Sequence, residues 1–121
     1  MTITADDVRA ARQRIQPHIR STPVLHSRWL SDGCGRPVSL KAESLQKTGA
    51  FKIRGALNAL MRLPAGTRVV TASAGNHGYA VACAANELGL ESFVFTPRDA
   101  PETKLRGIER HGATLDRASI D

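Results

Sequence analysis

The 121-residue sequence predicts an α/β fold in which a parallel sheet is flanked by helices. Three observations lead to this fold class. Short apolar runs typical of strands occur at 68–72, 91–96 and 113–115. Segments with apolar residues at helical spacing lie between them, at about 76–88 and 101–110. Strand and helix therefore alternate, and this alternation is typical of parallel sheets with helical connections. The run at 68–72 is apolar enough for us to expect a buried strand.

The first 45 residues are predicted to contain short elements separated by turns. Thr4 can cap a helix over 6–15, two aspartates occupy the first turn of that helix, and Pro17 ends it. An extended connector is expected next, because Pro23 disfavours helix at the residue before it. The connector is predicted at 18–23. A short helix is predicted at 26–30, closed by 31–35, and a short strand at 37–42.

Cysteine and histidine residues show no pattern of metal binding or disulfide formation. Cys34 is expected in a loop between two glycines, and Cys83 is expected as a small buried residue of an alanine-rich helix. We interpret both as free thiols and predict no metal site. His18 and His26 have no partner pattern, so we expect ordinary surface or packing histidines.

Composition argues against two classes of partner. The formal net charge is +6, but the 17 lysines and arginines are spread along the chain and aromatic residues make up only 4%. Since no nucleic-acid recognition pattern is visible, we expect no nucleic-acid partner. No apolar run approaches the ~20 residues of a membrane span, and the N-terminus lacks the layout of a signal peptide. We therefore expect no membrane association and a cytoplasmic location.

The stretch 41–56, KAESLQKTGAFKIRGA, contains the first candidate for chemistry. It passes through a polar turn into a predicted helix over 51–63, whose first turn contains Phe51, Lys52 and Arg54. A lysine is unusual at a helix start, because the helix dipole there favours anions. The same field, together with burial, favours the neutral amine, which can form a Schiff base with an aldehyde. From the residues alone, a solvated lysine with a buried stem is the alternative.

This stretch resembles the cofactor-lysine motif of the serine/threonine dehydratase family. These pyridoxal-phosphate enzymes have fold type II, like the β subunit of tryptophan synthase, and their group includes serine racemases. The resemblance implies that pyridoxal 5'-phosphate is the cofactor, bound as a Schiff base on Lys52, with Phe51 in its binding site. Ala50 departs from the serine that many members have before the Phe-Lys pair. The matched positions are Lys41, Glu43, Gln46, Thr48, Gly49, Phe51, Lys52, Arg54, Gly55 and Ala56. The Arg-x-Thr-Pro sequence at 20–23 also resembles the family's entry to its fold.

The turn Thr71-Ala-Ser-Ala-Gly-Asn-His-Gly78 is the second candidate. It connects a predicted strand to a predicted helix and is built from small residues, which let a ligand approach the backbone. Free N–H groups at a helix start can also hold an anion. From the residues alone, a plain connecting loop with a serine or asparagine cap is the alternative.

The same turn resembles the family's substrate-and-cofactor loop. The resemblance implies that Asn76 hydrogen-bonds the ring hydroxyl of the cofactor. It also implies that the carboxylate of a small amino-acid substrate binds to Ser73, Gly75, Asn76 and His77. A general base at His77 is the alternative, which is disfavoured because the family uses the lysine.

Ala74 discriminates between activities of this family. Racemases of the group carry serine at this position, where it acts as acid and base on the face opposite the lysine. Alanine cannot move a proton. The resemblance therefore implies an L-threonine/L-serine dehydratase, which releases a 2-oxo acid and ammonia, and it disfavours a serine racemase.

The resemblance covers nearly all of the chain but only about the first third of a complete family member. We expect residues 1–45 to pack on a large domain that lies mostly outside this chain. Residues 46–121 are expected to form part of a small α/β domain that carries Lys52 and the turn at 71–78. The family's glycine-rich phosphate loop has no counterpart here, so an inactive α/β fragment is the alternative, and we expect the chain alone to lack efficient turnover. Family members are typically homo-oligomers.

Overall fold

The computed structural model describes residues 2–73 and 75–117 and has the predicted α/β architecture. Five helices and five strands occur in these ranges, with two short 3-10 turns at Gln16–His18 and Glu43–Leu45. In chain order the elements are α1 (Ala5–Ile15), β1 (Val24–His26), α2 (Arg28–Cys34), β2 (Ser39–Lys41), α3 (Lys52–Leu60), β3 (Arg68–Ala72), α4 (Asn76–Glu87), β4 (Glu91–Phe95), α5 (Glu102–Arg110) and β5 (Thr114–Asp116).

A three-stranded parallel sheet forms the second half of the structure. Its strand order is β3-β4-β5, with Val70 opposite Phe93 and Phe93 opposite Thr114. Helix α4 connects β3 to β4, and α5 connects β4 to β5. The parallel sheet was predicted, but the expected burial of β3 was wrong. This strand lies at the sheet edge, and Val70 is 63% exposed because no described element covers it.

Helix α4 lies at the centre of the structure. Every residue from 80 to 85 is buried, and five of these six residues are alanine or cysteine. Small side chains let neighbouring elements approach closely on both sides of the helix. On one side α4 packs against the apolar face of α3, which contains the predicted residues Ile53, Leu57 and Leu60. On the other side Ala82 packs with Val94 and Ile108.

Helix α1 is fixed at both of its ends. Thr4 Oγ1 accepts a hydrogen bond from the Asp7 N–H at 3.2 Å, and Asp7 Oδ2 accepts one from the Thr4 N–H at 2.9 Å. This reciprocal pair is a capping box, which satisfies two backbone donors at a helix start. At the other end Ile15 is buried in the core cluster with α3, and Pro17 follows in a 3-10 turn. The predicted helix and its cap are confirmed.

A small antiparallel sheet joins β1 to β2, with Leu25 opposite Leu40. The prediction of a helix over 26–30 was wrong in position, and β1 was missed. The physical reason lies at Ser27, whose hydroxyl accepts a hydrogen bond from the Leu30 N–H at 3.3 Å and so starts α2 after it. The helix continues through Cys34, which was expected in a loop, and ends at Gly35.

The conformation of Gly35 explains that helix end, since its φ of 64° lies in the left-handed region that glycine adopts without strain.

Within residues 2–73 and 75–117, no helix has both the length and the apolar character of a membrane span. The same ranges contain no cluster of histidine, cysteine and carboxylate side chains that could bind a metal ion.

Candidate functional site

Lys52 lies in the first turn of α3, as predicted, and is the first residue of that helix, with Phe51 at the N-cap position. The Lys52 Nζ atom lies 5.3 Å from the centroid of the Phe51 ring, a distance at which a cation is attracted to an aromatic face. Within the described residues Lys52 makes no hydrogen bond or ion pair. The Lys52 side chain is exposed. Its amine is therefore accessible to a ligand.

An open cleft of about 330 Å³ lies between the starts of α3 and α4. Its volume is within the range of small-molecule sites, about 300–1,000 Å³. The structure thus brings Lys52 and His77 to one cleft, although they belong to separate stretches of the sequence. The cleft is lined by Phe51, Lys52, Arg54, Gly55, Ala56 and His77.

The turn before α4 is held to the sheet by its backbone. The Ser73 N–H donates to the Phe95 carbonyl oxygen at 2.9 Å, which extends the pairing of β3 with β4. Ser73 Oγ accepts from the Gly75 N–H at 3.2 Å. Ser73, Gly75 and Asn76 do not line the cleft beside Lys52, and Asn76 and His77 are exposed. Ala74 lies outside the described residues.

No described side chain caps the start of α4, whose N-cap residue is Gly75. The first N–H groups of a helix lack partners within the helix, and together with the helix dipole they form a suitable site for an anion. The same holds for α3, where Phe51 offers no capping side chain. Two helix starts with this property therefore border the same cleft.

Gly78 fixes how closely α4 approaches the turn. A Cβ atom at this position would lie 2.8 Å from the Ser73 carbonyl oxygen and 3.1 Å from Val94 Cγ1. Atoms at that separation overlap, so only glycine fits without a shift of the backbone. The sequence shows Gly78 as part of a turn of small residues, but it does not reveal this packing role.

A partly buried ion pair supports the residues that precede Lys52. Arg54 donates from Nε to Glu43 Oε2 at 2.8 Å and from Nη2 to Glu43 Oε1 at 2.7 Å. Thr22 Oγ1 donates to the same carboxylate at 2.5 Å. The hydrogen bonds from Arg54 outweigh the effect of burial and, with that of Thr22, lower the pKa of Glu43 to about 2. Two parallel charged hydrogen bonds of this kind are strong and directional.

Gln46 forms a second link between the same segments. Only 2% of this residue is exposed. Its Oε1 accepts from the Arg20 N–H at 2.9 Å and from the Lys47 N–H at 3.0 Å, while its Nε2 donates to the Arg20 carbonyl oxygen at 3.0 Å. Gly49 then turns the chain toward α3 with a φ of 70° and donates its N–H to the Gln46 carbonyl oxygen at 2.8 Å.

Glu87, at the end of α4, connects Lys47, in the turn before α3, to the 3-10 turn Gln16–His18 that follows α1. It accepts from Lys47, and it lies 2.6 Å from His18 Nδ1. Burial opposes ionisation of Glu87, but the hydrogen bonds from Lys47 and His18 prevail and lower its pKa. His18 was expected to have no specific partner, and that expectation is wrong. Nearby Cys83 is buried as predicted, and burial raises the pKa of its thiol.

The sequence interpretation therefore assigned no role to the residues that support the turn before Lys52. Glu43, Gln46 and Arg54 all belonged to the matched stretch, so the signal was present, but nothing local indicated their partners. Thr22 and Arg20 belong to the Arg-x-Thr-Pro sequence and lie more than 20 positions away along the chain. Such pairs become visible only once the chain is folded.

Known proteins match this chain over most of its length. A family model described as pyridoxal-phosphate dependent enzyme matches residues 15–120. The serine racemase of Dictyostelium discoideum is 41% identical over 117 residues, which cover 94% of this chain and 36% of that protein. The L-threonine ammonia-lyase of Geobacter sulfurreducens is 42% identical over 111 residues, which cover 89% of this chain and 28% of that protein.

A solved structure with the same fold is that of a threonine deaminase from T.th.. It matches with a TM-score of 0.86 at 39% identity, covering 98% of this chain and 38% of that chain. The fold is thus that of the fold-type II enzymes, as predicted. The chain spans about a third of the length of the curated relatives that it matches.

Replacing Glu43 by glutamine is expected to lower the free energy of unfolding by about 1–2 kcal/mol at pH 7, because two charged hydrogen bonds to Arg54 are lost from a side chain that is 16% exposed. The pKa of Glu43 is lowered in the folded state, so its contribution is complete above the unfolded value of 4.5 and is lost as the pH falls toward about 2. Urea unfolding followed by circular dichroism at pH 7 and pH 3 should show the difference shrinking in acid.

Glu91→Gln is the matched control for this experiment. Glu91 accepts from Arg68 at 2.7 Å, but it is 52% exposed, so its loss should have little effect at either pH. A difference between Glu43→Gln and the unaltered chain that stays constant with pH would contradict the assigned role of the carboxylate.

Replacing Gly78 by alanine is expected to lower the free energy of unfolding by about 1–3 kcal/mol, because the new methyl group overlaps the Ser73 carbonyl oxygen. Gly33→Ala is the control. Gly33 lies within α2, and a Cβ atom added there would have no other atom within 4 Å, so alanine should stabilise the helix by up to about 1 kcal/mol. Equal effects of the two substitutions in urea unfolding would rule out the close approach at Gly78.

Proposed function

The chain belongs to the family of pyridoxal-phosphate-dependent enzymes, and on this premise we propose that Lys52 is the residue that binds the cofactor. The observation that carries the proposal is the position of Lys52, an exposed primary amine that begins a helix and lines a cleft of about 330 Å³. An amine without a hydrogen-bond partner among the described residues is free to react with an aldehyde. The residues present therefore fit this cofactor.

Lys52 has two proposed roles. Its Nζ atom would hold the cofactor through the cofactor's aldehyde, and its neutral amine would accept the proton from the substrate α carbon. Bound pyridoxal phosphate supplies an electron sink for the bond that is broken at that carbon. Phe51 borders the amine and covers one side of it with an aromatic face.

The start of α4 is proposed to hold the substrate. We assign the substrate carboxylate to Ser73, Gly75, Asn76 and His77, and the ring hydroxyl of the cofactor to Asn76. The absence of a capping side chain at α4, within the described residues, supports this assignment because backbone N–H groups at a helix start favour an anion. His77 lines the same cleft as Lys52, and this supports its assignment to the substrate site.

The proposed reaction is the dehydration of L-threonine or L-serine. The α proton passes to Lys52, and the β hydroxyl takes up a proton and leaves as water, which leaves an enamine. One water molecule then hydrolyses the enamine to a 2-oxo acid and ammonia. Ala74 supports this reaction, because its methyl group cannot deliver a proton to the opposite face of the α carbon. A serine racemase is the second candidate. It is favoured by the 41% identity to the Dictyostelium racemase, which is close to the 42% identity to the Geobacter ammonia-lyase.

The cofactor role of Lys52 is tested by intact mass after incubation with pyridoxal phosphate and reduction with borohydride. One adduct per chain is expected, and it should be absent from the Lys52→Arg variant, which keeps the charge but removes the primary amine. Lys41→Arg is the matched control and should keep the adduct, because Lys41 Nζ already donates to the Thr22 carbonyl oxygen at 2.6 Å. Equal adduct formation in both variants would mean that surface lysines react without selection.

The choice of reaction is tested by the products formed from L-serine and L-threonine in the presence of the cofactor. Because the chain alone is expected to lack efficient turnover, the products are measured after long incubation at high protein concentration. We expect a 2-oxo acid and ammonia but no D-serine, because only Lys52 is assigned to move the α proton. The Ala74→Ser variant should add inversion, since the racemases that this sequence resembles carry serine at this position. D-serine as the main product of the unaltered chain would support the racemase instead.

A further inference from the structure

Thr96 is the first residue after β4, and its side chain is fully buried. Among the residues that the structure describes, its hydroxyl is the one buried side-chain group without a hydrogen-bond partner. Burial of an unpaired hydroxyl opposes folding, so its presence calls for a reason. We propose that Thr96 is a positioning residue for the substrate carboxylate and that it acts through Ser73. The inference rests on the proposed function, which assigns that carboxylate to the start of α4.

The side chain of Thr96 lies on the side of the sheet that α4 covers. Its N–H donates to the Asp116 carbonyl oxygen at 2.9 Å, so the chain still pairs with its neighbour at this position. Side chains alternate between the two faces of a strand, which puts Thr96 on the same face as Val94. Val94 Cγ1 would lie 3.1 Å from a Cβ atom at Gly78, in the first turn of α4. Thr96 is one step nearer to the carboxyl end of the sheet, where α4 begins.

Ser73 is the neighbour of Thr96 on the adjacent strand. The last pair of β3 with β4 is Ala72 opposite Phe95, and the Ser73 N–H continues the pairing by donating to the Phe95 carbonyl oxygen. The next position in this register places Ser73 beside Thr96. The Ser73 Cβ atom would lie 3.3 Å from a Cβ atom at Gly78, so its side chain is also on the α4 side. Two hydroxyl groups therefore share one face of the sheet beneath the first turn of α4.

The hydrogen-bonding capacity of these two hydroxyls indicates how they cooperate. A hydroxyl donates one hydrogen bond and can accept two. Ser73 Oγ accepts from the Gly75 N–H at 3.2 Å. When a carboxylate binds at the start of α4, the Gly75 N–H and the Ser73 O–H both donate to the anion. Ser73 Oγ then has free lone pairs, and the Thr96 O–H donates to one of them. This bond holds the Ser73 O–H in the orientation that faces the carboxylate.

The role predicts that stability and affinity respond in opposite ways to the loss of the Thr96 hydroxyl. Thr96→Val keeps the shape of the side chain but removes a hydroxyl that has no partner in the folded chain, so its urea midpoint should equal or exceed that of the unaltered chain. Its affinity for a carboxylate at the start of α4 should instead fall by about fivefold, since one hydrogen bond is lost from the bound state.

L-Serine without cofactor is the probe, and it is titrated into the full ¹⁵N-labelled 121-residue chain. Nuclear magnetic resonance follows the amide signals of Gly75 and Asn76. We expect saturable shifts in the unaltered chain and about fivefold weaker binding in Thr96→Val. An unchanged affinity in Thr96→Val would overturn the proposal. A lower urea midpoint together with weaker binding would also overturn it, because a hydroxyl that supports only the fold gives that result.

Thr96→Ser is the matched control. It keeps the hydroxyl but removes a buried methyl group, so its urea midpoint should fall while its affinity for L-serine stays within about twofold of the unaltered chain. The route through Ser73 is tested by adding Thr96→Val to Ser73→Ala. The second substitution should then change the affinity by less than about twofold. A further fivefold loss would show that Thr96 does not act through Ser73.

The outcome is separable from that of the proposed function. If the amides of Gly75 and Asn76 do not shift in the unaltered chain, the assignment of the carboxylate to the start of α4 fails, and the role of Thr96 fails with it. If they shift equally in the unaltered chain and in Thr96→Val, only the role of Thr96 is overturned. The adduct on Lys52 is measured by mass and does not depend on either result.

Discussion

The contact between α3 and α4 is the interaction on which the candidate site depends. Ile53 and Leu57 of α3 are fully buried against the alanine-rich face of α4. Because alanine side chains are small, the two helices approach closely, and both helix starts border one cleft. Lys52 and His77 meet there for this reason. Gly78 extends the same constraint to the turn before α4, whose backbone lies too near for any Cβ atom.

Three polar links then hold the turn that leads into Lys52. They are the Glu43–Arg54 ion pair, the bonds of Gln46 to the Arg20 backbone, and the pair between Lys47 and Glu87. The Glu43–Arg54 pair lies within the stretch 41–56, whereas Gln46 and Lys47 connect this stretch to the segment before β1 and to the end of α4. The residues of this stretch thus divide into those that support the turn and those that border the cleft. Partly buried charged hydrogen bonds suit the supporting role, because they are both strong and directional.

The positive charge of the chain has a different meaning once its distribution in space is known. A net charge of +6 with cations spread along the sequence gave no indication of a partner. In the fold, Lys47 and Arg54 are paired with Glu87 and Glu43, and the Arg28 side chain is almost fully exposed to solvent on α2. Arg12, Arg20 and Lys41 line one groove of about 420 Å³ between the end of α1 and β2. The net charge alone does not show which cations are paired with carboxylates, whereas their positions in the fold do.

The sequence by itself determined the alternation of strands and helices, the capping box of α1, the apolar face of α3 and the family to which the lysine stretch points. These features are local, because caps and periodicity depend on residues only a few positions apart. Only the tertiary structure decided the pairing of β1 with β2 across α2, the contact of His18 with Glu87, the edge position of β3, and the meeting of Lys52 with His77. Each of these joins residues far apart along the chain, and such contacts form through packing that no local pattern encodes.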